Sequence, residues 1–463
     1  MSTFPRLRLL CVLVTVLVLG GAPLLRAVES AELCAGQTAL GTPEWTQHAV
    51  IYEINTRQYS AAGTFAAVEA DLPRLHALGV DVLWFMPIHP IGHHERKGSL
   101  GSPYAVRDYL AVNPEFGTAA DFKHLVDTAH AQGFHVIMDW VGNHTAWDNP
   151  LSTEHPEYFV HDARGKFVPP LGFDWTDVIQ LDFTNHAVWD YEYEALAHWA
   201  HDVGVDGFRC DFATGAPTAF WNEVSARLRQ LRPDLFLLAE SELPQQQLHA
   251  FNASYAFEMM QTYNAVAQGR AAVSHIDDTL AARRVHFPSG AVLLNYTSNH
   301  DENSWAGTAF ERLGGGIRPF AVLSFMLDGI PLIYDGQEIG LDRRLAFFER
   351  DPIVWPAQPH PLTAFYRSLT SLRHRSPALR TGAAMRRLAT THDESLYALL
   401  REAGADRVVA FLNLTARDVT ADAYDPALAG SWHDAFTGEA VTLSAAVPLT
   451  LPAWHSRVLV RDH

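Results

Sequence analysis

The stretch VDGFRCDFA, residues 205 to 213, sets Asp206, Arg209 and Asp211 in what otherwise reads as a short apolar strand. A buried ion is costly unless it is paired, so the three charges call for a reason. Strand side chains alternate, which puts Arg209 and Asp211 on one face and Phe208, Cys210 and Phe212 on the other. Opposite charges therefore stand side by side near the strand's end. Taken alone, such a pair reads as structural. Further polar groups fall at the ends of other apolar runs: Asp139, Asn143 and His144 in VIMDWVGNH, Glu240 in LFLLAES, and Asn299, His300 and Asp301 in NYTSNHDEN. A single Asp or Glu in such a place is most simply a helix cap. Three carboxylates converging on one cleft are different, because crowding shifts acidities in the way acid–base chemistry requires. Arg209 beside Asp211 favours the ionised acid, while the apolar residues Phe236 to Ala239 before Glu240 favour a protonated one. An ionised carboxylate facing a protonated one is the pair that cleaves a glycosidic bond. The aromatics Tyr104, Trp140, Trp147, Phe173, Trp175 and Trp305 fall in the same loops and suit the CH faces of sugars, although most aromatics in any chain are core.

Such a convergence needs a scaffold with many strand ends on one side. Eight apolar runs qualify as strands, beginning near residues 49, 80, 134, 205, 235, 254, 291 and 330, and longer helical patterns separate them. The pattern predicts an α/β fold, a (β/α)8 TIM barrel whose chemistry sits at the C-terminal strand ends. Val68, Leu72, Leu75 and Leu78 mark one helical stripe, and Phe122, Leu125, Val126 and Ala129 mark the next. Residues 146–185, rich in Pro, Asp and aromatics, read as a small inserted subdomain after the third strand. The predicted organisation is a signal peptide over 1–30, a catalytic barrel over 31–383 and a C-terminal antiparallel β-sandwich domain over 384–463.

The chain has 463 residues, 48% of them hydrophobic and 19% charged, an ordinary globular balance that affords a large core. Its 52 acidic residues against 34 basic ones give a net charge of -18, which repels a phosphate backbone, so no nucleic-acid partner is expected. Arg6 and Arg8 followed by the apolar run Leu9 to Leu19 match a secretory signal, too short for a comfortable membrane span. Secretion or periplasmic export, with no stable membrane insertion after cleavage, is the expectation. AELC lacks the small residue that normally precedes a lipidated cysteine. After signal removal, Cys34 and Cys210 remain as two expected free thiols.

With those residues in place, DWVGNH (139–144), GFRCD (207–211), the strand ending in Glu240 and NHD (299–301) together resemble the α-amylase family of glycoside hydrolases. The resemblance runs through nearly the whole mature chain, including IYEINTRQYS and YAVRDYLAVNPEFGT. It implies Asp211 as nucleophile, Glu240 as acid/base and Asp301 as a third carboxylate gripping sugar hydroxyls. It also implies that Arg209 orients Asp211, that His144 and His300 bond the reacting sugar above Asp139, and that Tyr104 stacks on that sugar. Retention of anomeric configuration follows from the same likeness. Calcium is the only cofactor implied, with Asn143 as a candidate ligand. The family's calcium-dependent members carry a Lys-His pair after the nucleophile, where this chain reads FATG and the histidine position is Gly215, which weakens that implication. Glu242 and Glu338 are nearby carboxylates, read as a turn residue and a structural residue.

The expected activity is hydrolysis of α-1,4-glucosidic bonds in starch-like glucans or maltooligosaccharides. A transferase using the same intermediate is the near rival, since water or a sugar hydroxyl can release it. A non-catalytic sugar-binding barrel is disfavoured because all three carboxylates are present.

Overall fold

The computed structural model describes residue 34 and residues 36–461. The expected signal segment lies outside the described residues. Among them, no helix is long and apolar enough to cross a membrane. Eight strands, Ile51–Ile54, Val82–Phe85, His135–Trp140, Gly207–Cys210, Phe236–Ala239, Ala253–Tyr255, Leu293–Asn295 and Ile330–Tyr334, form a closed parallel barrel in sequential order. Closure is made by Ile51 opposite Leu332. All eight expected runs contribute. Alternation divides their side chains between two cores: Ile51, Trp84, Ile137, Leu238 and Leu294 fill the barrel, while Tyr52, Leu83, Met138, Phe208 and Leu237 pack outward against the helices.

Two expected elements differ from observation. The stripe from Val68 to Leu78 is split into helices Phe65–Ala70 and Leu72–Leu78. Pro73 is responsible, because it supplies no amide hydrogen and is tolerated in a first turn, not in a continuous helix. The seventh strand ends at Asn295, so Asn299, His300 and Asp301 follow a short connection and are not on the strand itself.

The excursion after the third strand is rooted in an antiparallel pair, His144–Ala146 with Val178–Gln180, in which His144 faces Gln180. Beyond the barrel, a six-stranded sheet and a three-stranded sheet, beginning at Ala384, enclose Leu396, Ala398, Leu400, Phe411 and Trp432. The alternate residues Tyr397 and Leu399, with Val408, Ala410 and Val458, join the barrel's outer core instead. Cys210 is a buried free thiol and Cys34 is also buried.

Candidate active site

Strand register assembles the centre. Arg209 is the parallel partner of Asp139 on one side and of Leu238 on the other, so all three point into the barrel. The next in-register position inward on the fourth strand is Asp211 and on the fifth is Glu240. Their amides continue the ladder, Asp211 N–H donating to the Trp140 carbonyl at 2.8 Å and Glu240 N–H to the Cys210 carbonyl at 3.0 Å. Adjacent strands lie about 4.8 Å apart, which brings the two carboxylates into one narrow space.

One buried guanidinium joins them. Arg209 Nη1 donates to Asp139 Oδ1 at 2.8 Å and to Asp211 Oδ1 at 2.7 Å. Its Nη2 lies 2.8 Å from Glu240 Oε1, a charge contact without the alignment of a directed hydrogen bond. Sequence reasoning paired Arg209 with Asp211 alone; the fold makes it a three-carboxylate hub. Tyr255 OH accepts from Arg209 Nε at 3.2 Å, and the Trp84 ring lies 5.3 Å from the guanidinium carbon. Asp211 and Glu240 remain 11% and 15% exposed, so the hub is sealed below and open to the cleft above.

Burial pushes the Glu240 carboxyl up to about 8; Arg209 pulls it down, and Asp211 and Asp301 push it further up. Its Oε2 also accepts the Phe212 N–H at 2.7 Å. Phe212 adopts φ 40°, a left-handed conformation unusual for a residue with a side chain, and this turn aims its amide at Glu240. Burial likewise raises Asp139 to about 7, with Arg209 opposing and Asp211 reinforcing the rise.

A second chain of polar groups runs across the barrel mouth. Tyr104 OH donates to Asp139 Oδ2 at 3.0 Å and meets His300 Nε2 at 2.8 Å, while His300 Nδ1 lies 2.5 Å from Glu53 Oε1. Burial disfavours a charged His300, yet Asp301 and Glu53 outweigh it and hold the ring's pKa well above its ordinary value. The same imidazolium, 3.3 Å from Asp301 Oδ2, holds the Asp301 carboxyl below its usual range against the effect of burial. Asp301 is 43% exposed on its cleft side although protein surrounds it elsewhere, and Trp305 bonds its carboxyl. Tyr104 is buried, its ring stacked on His300 and Phe347. Burial lowers the pKa of His144 against the pull of Asp211 and Asp177, and its Nδ1 lies 3.2 Å from Asn143 Nδ2.

Around Asn143 three acceptors converge on one donor. Gln180 Nε2 donates to the Asn143 carbonyl at 3.0 Å, to Asn143 Oδ1 at 2.9 Å and to the Leu181 carbonyl at 3.1 Å. Among the described residues, no group of three or more His, Cys, Asp or Glu side chains is arranged to hold a metal ion.

Aromatic rings flank the carboxylates on both sides. Phe173 and Trp175, from the excursion, stack at 4.2 Å, and both meet the Phe212 ring nearly at right angles. Beside Asp301, Trp305 leans on Phe347 and Phe348. Phe173 is 45% and Trp305 56% exposed, as ligand platforms would be.

The remaining carboxylates have other work. Glu338 is fully buried and accepts from Tyr52 OH and Arg74, each at 2.7 Å. Glu242 accepts from the Glu258 amide at the start of helix Phe257–Ala267. Sequence reasoning passed over Glu53, Trp84, Tyr255 and Gln180. Glu53 was within reach of the argument applied to Arg209, being a charge inside a wholly buried strand; the other three carry no such signal.

Residues 51–170 and 171–352 match the alpha amylase catalytic domain. Alpha-amylase MalA of Haloarcula japonica is 29% identical over 406 residues, covering 84% of this chain and 57% of that relative, so the chain spans little more than half its length. Neopullulanase 2 of Thermoactinomyces vulgaris is 28% identical over 475 residues, covering 90% of this chain and 78% of the relative. Among solved structures, an alpha-amylase from Lactobacillus plantarum is 32% identical with a TM-score of 0.80, covering 90% of this chain and 100% of the other. A maltogenic alpha-amylase, AmyB, from Thermotoga neapolitana is 26% identical with a TM-score of 0.83, covering 90% and 99%. The match takes in the third, fourth, fifth and seventh strands and the residues that follow each of them. This chain belongs to the alpha-amylase family.

Proposed function

We propose that the protein is a retaining glycoside hydrolase that cleaves α-1,4-glucosidic bonds in starch-like glucans or maltooligosaccharides. The observation that carries this reading is the pairing of Asp211 and Glu240 on two nitrogens of one guanidinium, with Glu240 pushed up to about 8. At neutral pH Glu240 then holds a proton for the leaving glycosidic oxygen while Asp211 attacks the anomeric carbon. In the second half-reaction Glu240, now ionised, takes a proton from the water that releases the sugar. Arg209 keeps Asp211 oriented through both halves. Asp301, ionised by His300, accepts hydrogen bonds from sugar hydroxyls, and Tyr104, His144 and His300 complete the pocket above Asp139.

A second reading, α-glucan transfer, is supported by the Phe173–Trp175 pair beside Phe212, whose amide touches the acid/base. That wall stands where an acceptor sugar would compete with water. Incubating the protein with a maltooligosaccharide and following both product length and anomeric configuration tests the two readings. Shorter products of retained configuration are expected; longer products would favour transfer, and inverted products or none would remove the assignment.

A further inference from the structure

We propose that the Gln180 amide does the work of a cation, clamping the excursion to the barrel and thereby positioning His144 and the aromatic wall without calcium. Three oxygens, two from Asn143 and one from Leu181, point at Gln180 Nε2 at 2.9 to 3.1 Å. An amide nitrogen has hydrogens and no lone pair to offer, so acceptors gather round it as they would round a metal ion. Calcium requires about six to eight oxygens at about 2.3–2.6 Å. Here three oxygens are already committed to a donor, and the residues do not fit the ion.

The segment after Asp211 is shaped to match. A Cβ on Gly215 would lie 2.3 Å from Asn143 Oδ1 and 2.6 Å from the Phe212 ring, so only glycine lets this segment close over Asn143. Three stretches of chain, at 143–144, 180–181 and 212–215, thus meet around Asn143. Gln180 faces His144 across the strand pair, and the Trp175 ring lies 5.4 Å from that of His144 and 5.2 Å from that of Phe212. Release of the clamp would move all three. Gln180 is accordingly a positioning residue.

The kinetic part of the test rests on the hydrolase reading, whereas the unfolding part does not, so the two can fail separately. Protein stripped with a chelator is expected to keep its unfolding temperature and its kcat/KM, and millimolar calcium should change neither. Gln180→Glu faces three oxygens with a fourth and needs a cation. In chelator it should unfold several degrees lower and lose about ten-fold in kcat/KM, with calcium restoring most of both. Gln180→Lys, which keeps a donor, should resemble the unaltered protein and ignore calcium. Chelator loss and calcium rescue in the unaltered protein would overturn the proposal. So would a Gln180→Glu variant that is undamaged, or damaged beyond rescue by calcium.

Discussion

At the scale of single residues, Glu240 is held between opposing influences. The Phe212 amide and Arg209 favour its ionised form, yet burial with Asp211 and Asp301 nearby leaves its pKa at about 8. General acid catalysis needs the protonated form, so kcat/KM should fall as pH rises through about 8. In Glu240→Gln the loss of the acid should lower turnover by about 10²- to 10⁴-fold, while Tm changes little. Asp211→Asn should be at least as damaging to turnover, since it removes the attacking group. Steady-state kinetics across pH, with thermal melts of each variant, check these outcomes; full activity in either would return the carboxylates to a structural role.

At the scale of elements, the third strand and the helix His186–Ala197 meet through Trp140 Nε1, which donates to Glu192 Oε2 at 2.7 Å. Burial pushes Glu192 up to about 8, far above its value in an unfolded chain. The folded state therefore binds the extra proton between about pH 4.3 and about 8, and stability declines as pH rises through that window. Glu192→Gln keeps an acceptor for Trp140 and abolishes the titration. Its unfolding free energy should rise relative to the unaltered protein by an amount that grows from acid pH to pH 8, reaching on the order of a few kcal/mol and read as a higher Tm. A constant difference across pH would exclude this account. The excursion makes a separate contribution: Trp175→Ala removes one face of the wall beside Phe212 and should raise KM for maltooligosaccharides several-fold with little change in kcat, measurable by initial rates.

At the scale of the whole molecule, barrel and β-sandwich share one core, because the outward residues of the sandwich strands pack on the barrel's helices. Arg401 strengthens the junction. Fully buried, it donates to the carbonyls of Met326, Ala378 and Arg380 at 2.9 to 3.1 Å. Calorimetry should accordingly show a single cooperative transition. Arg401→Met removes the buried donor these carbonyls share, although the Arg380 carbonyl keeps the Ala383 amide, and should cost about 2–4 kcal/mol, read as a lower Tm with activity retained at low temperature. Two separate transitions in the unaltered protein would argue for independent domains.

Much of this was legible before any coordinates. The eight strand positions follow from short apolar runs buried on both faces, and most of the charges fall toward the ends of those runs, where they are either open to water or, like Glu53 and Arg209, buried and paired. Arg209 and Asp211 were assignable to one face by alternation alone. The break at Pro73 was equally readable, but a periodic stripe of Val68, Leu72, Leu75 and Leu78 masks it.

What the chain order alone determined is the set of strands, the order of the barrel and the identity of the groups at its mouth, since periodicity and burial are properties of neighbouring residues. What only the tertiary structure decided is which groups touch. Arg209 reaching Asp139 and Glu240, Glu53 beneath His300 and the Gln180 amide on the two Asn143 oxygens are contacts between segments distant in sequence. Strand register and loop closure fix such contacts, and neither leaves a periodic trace along the chain.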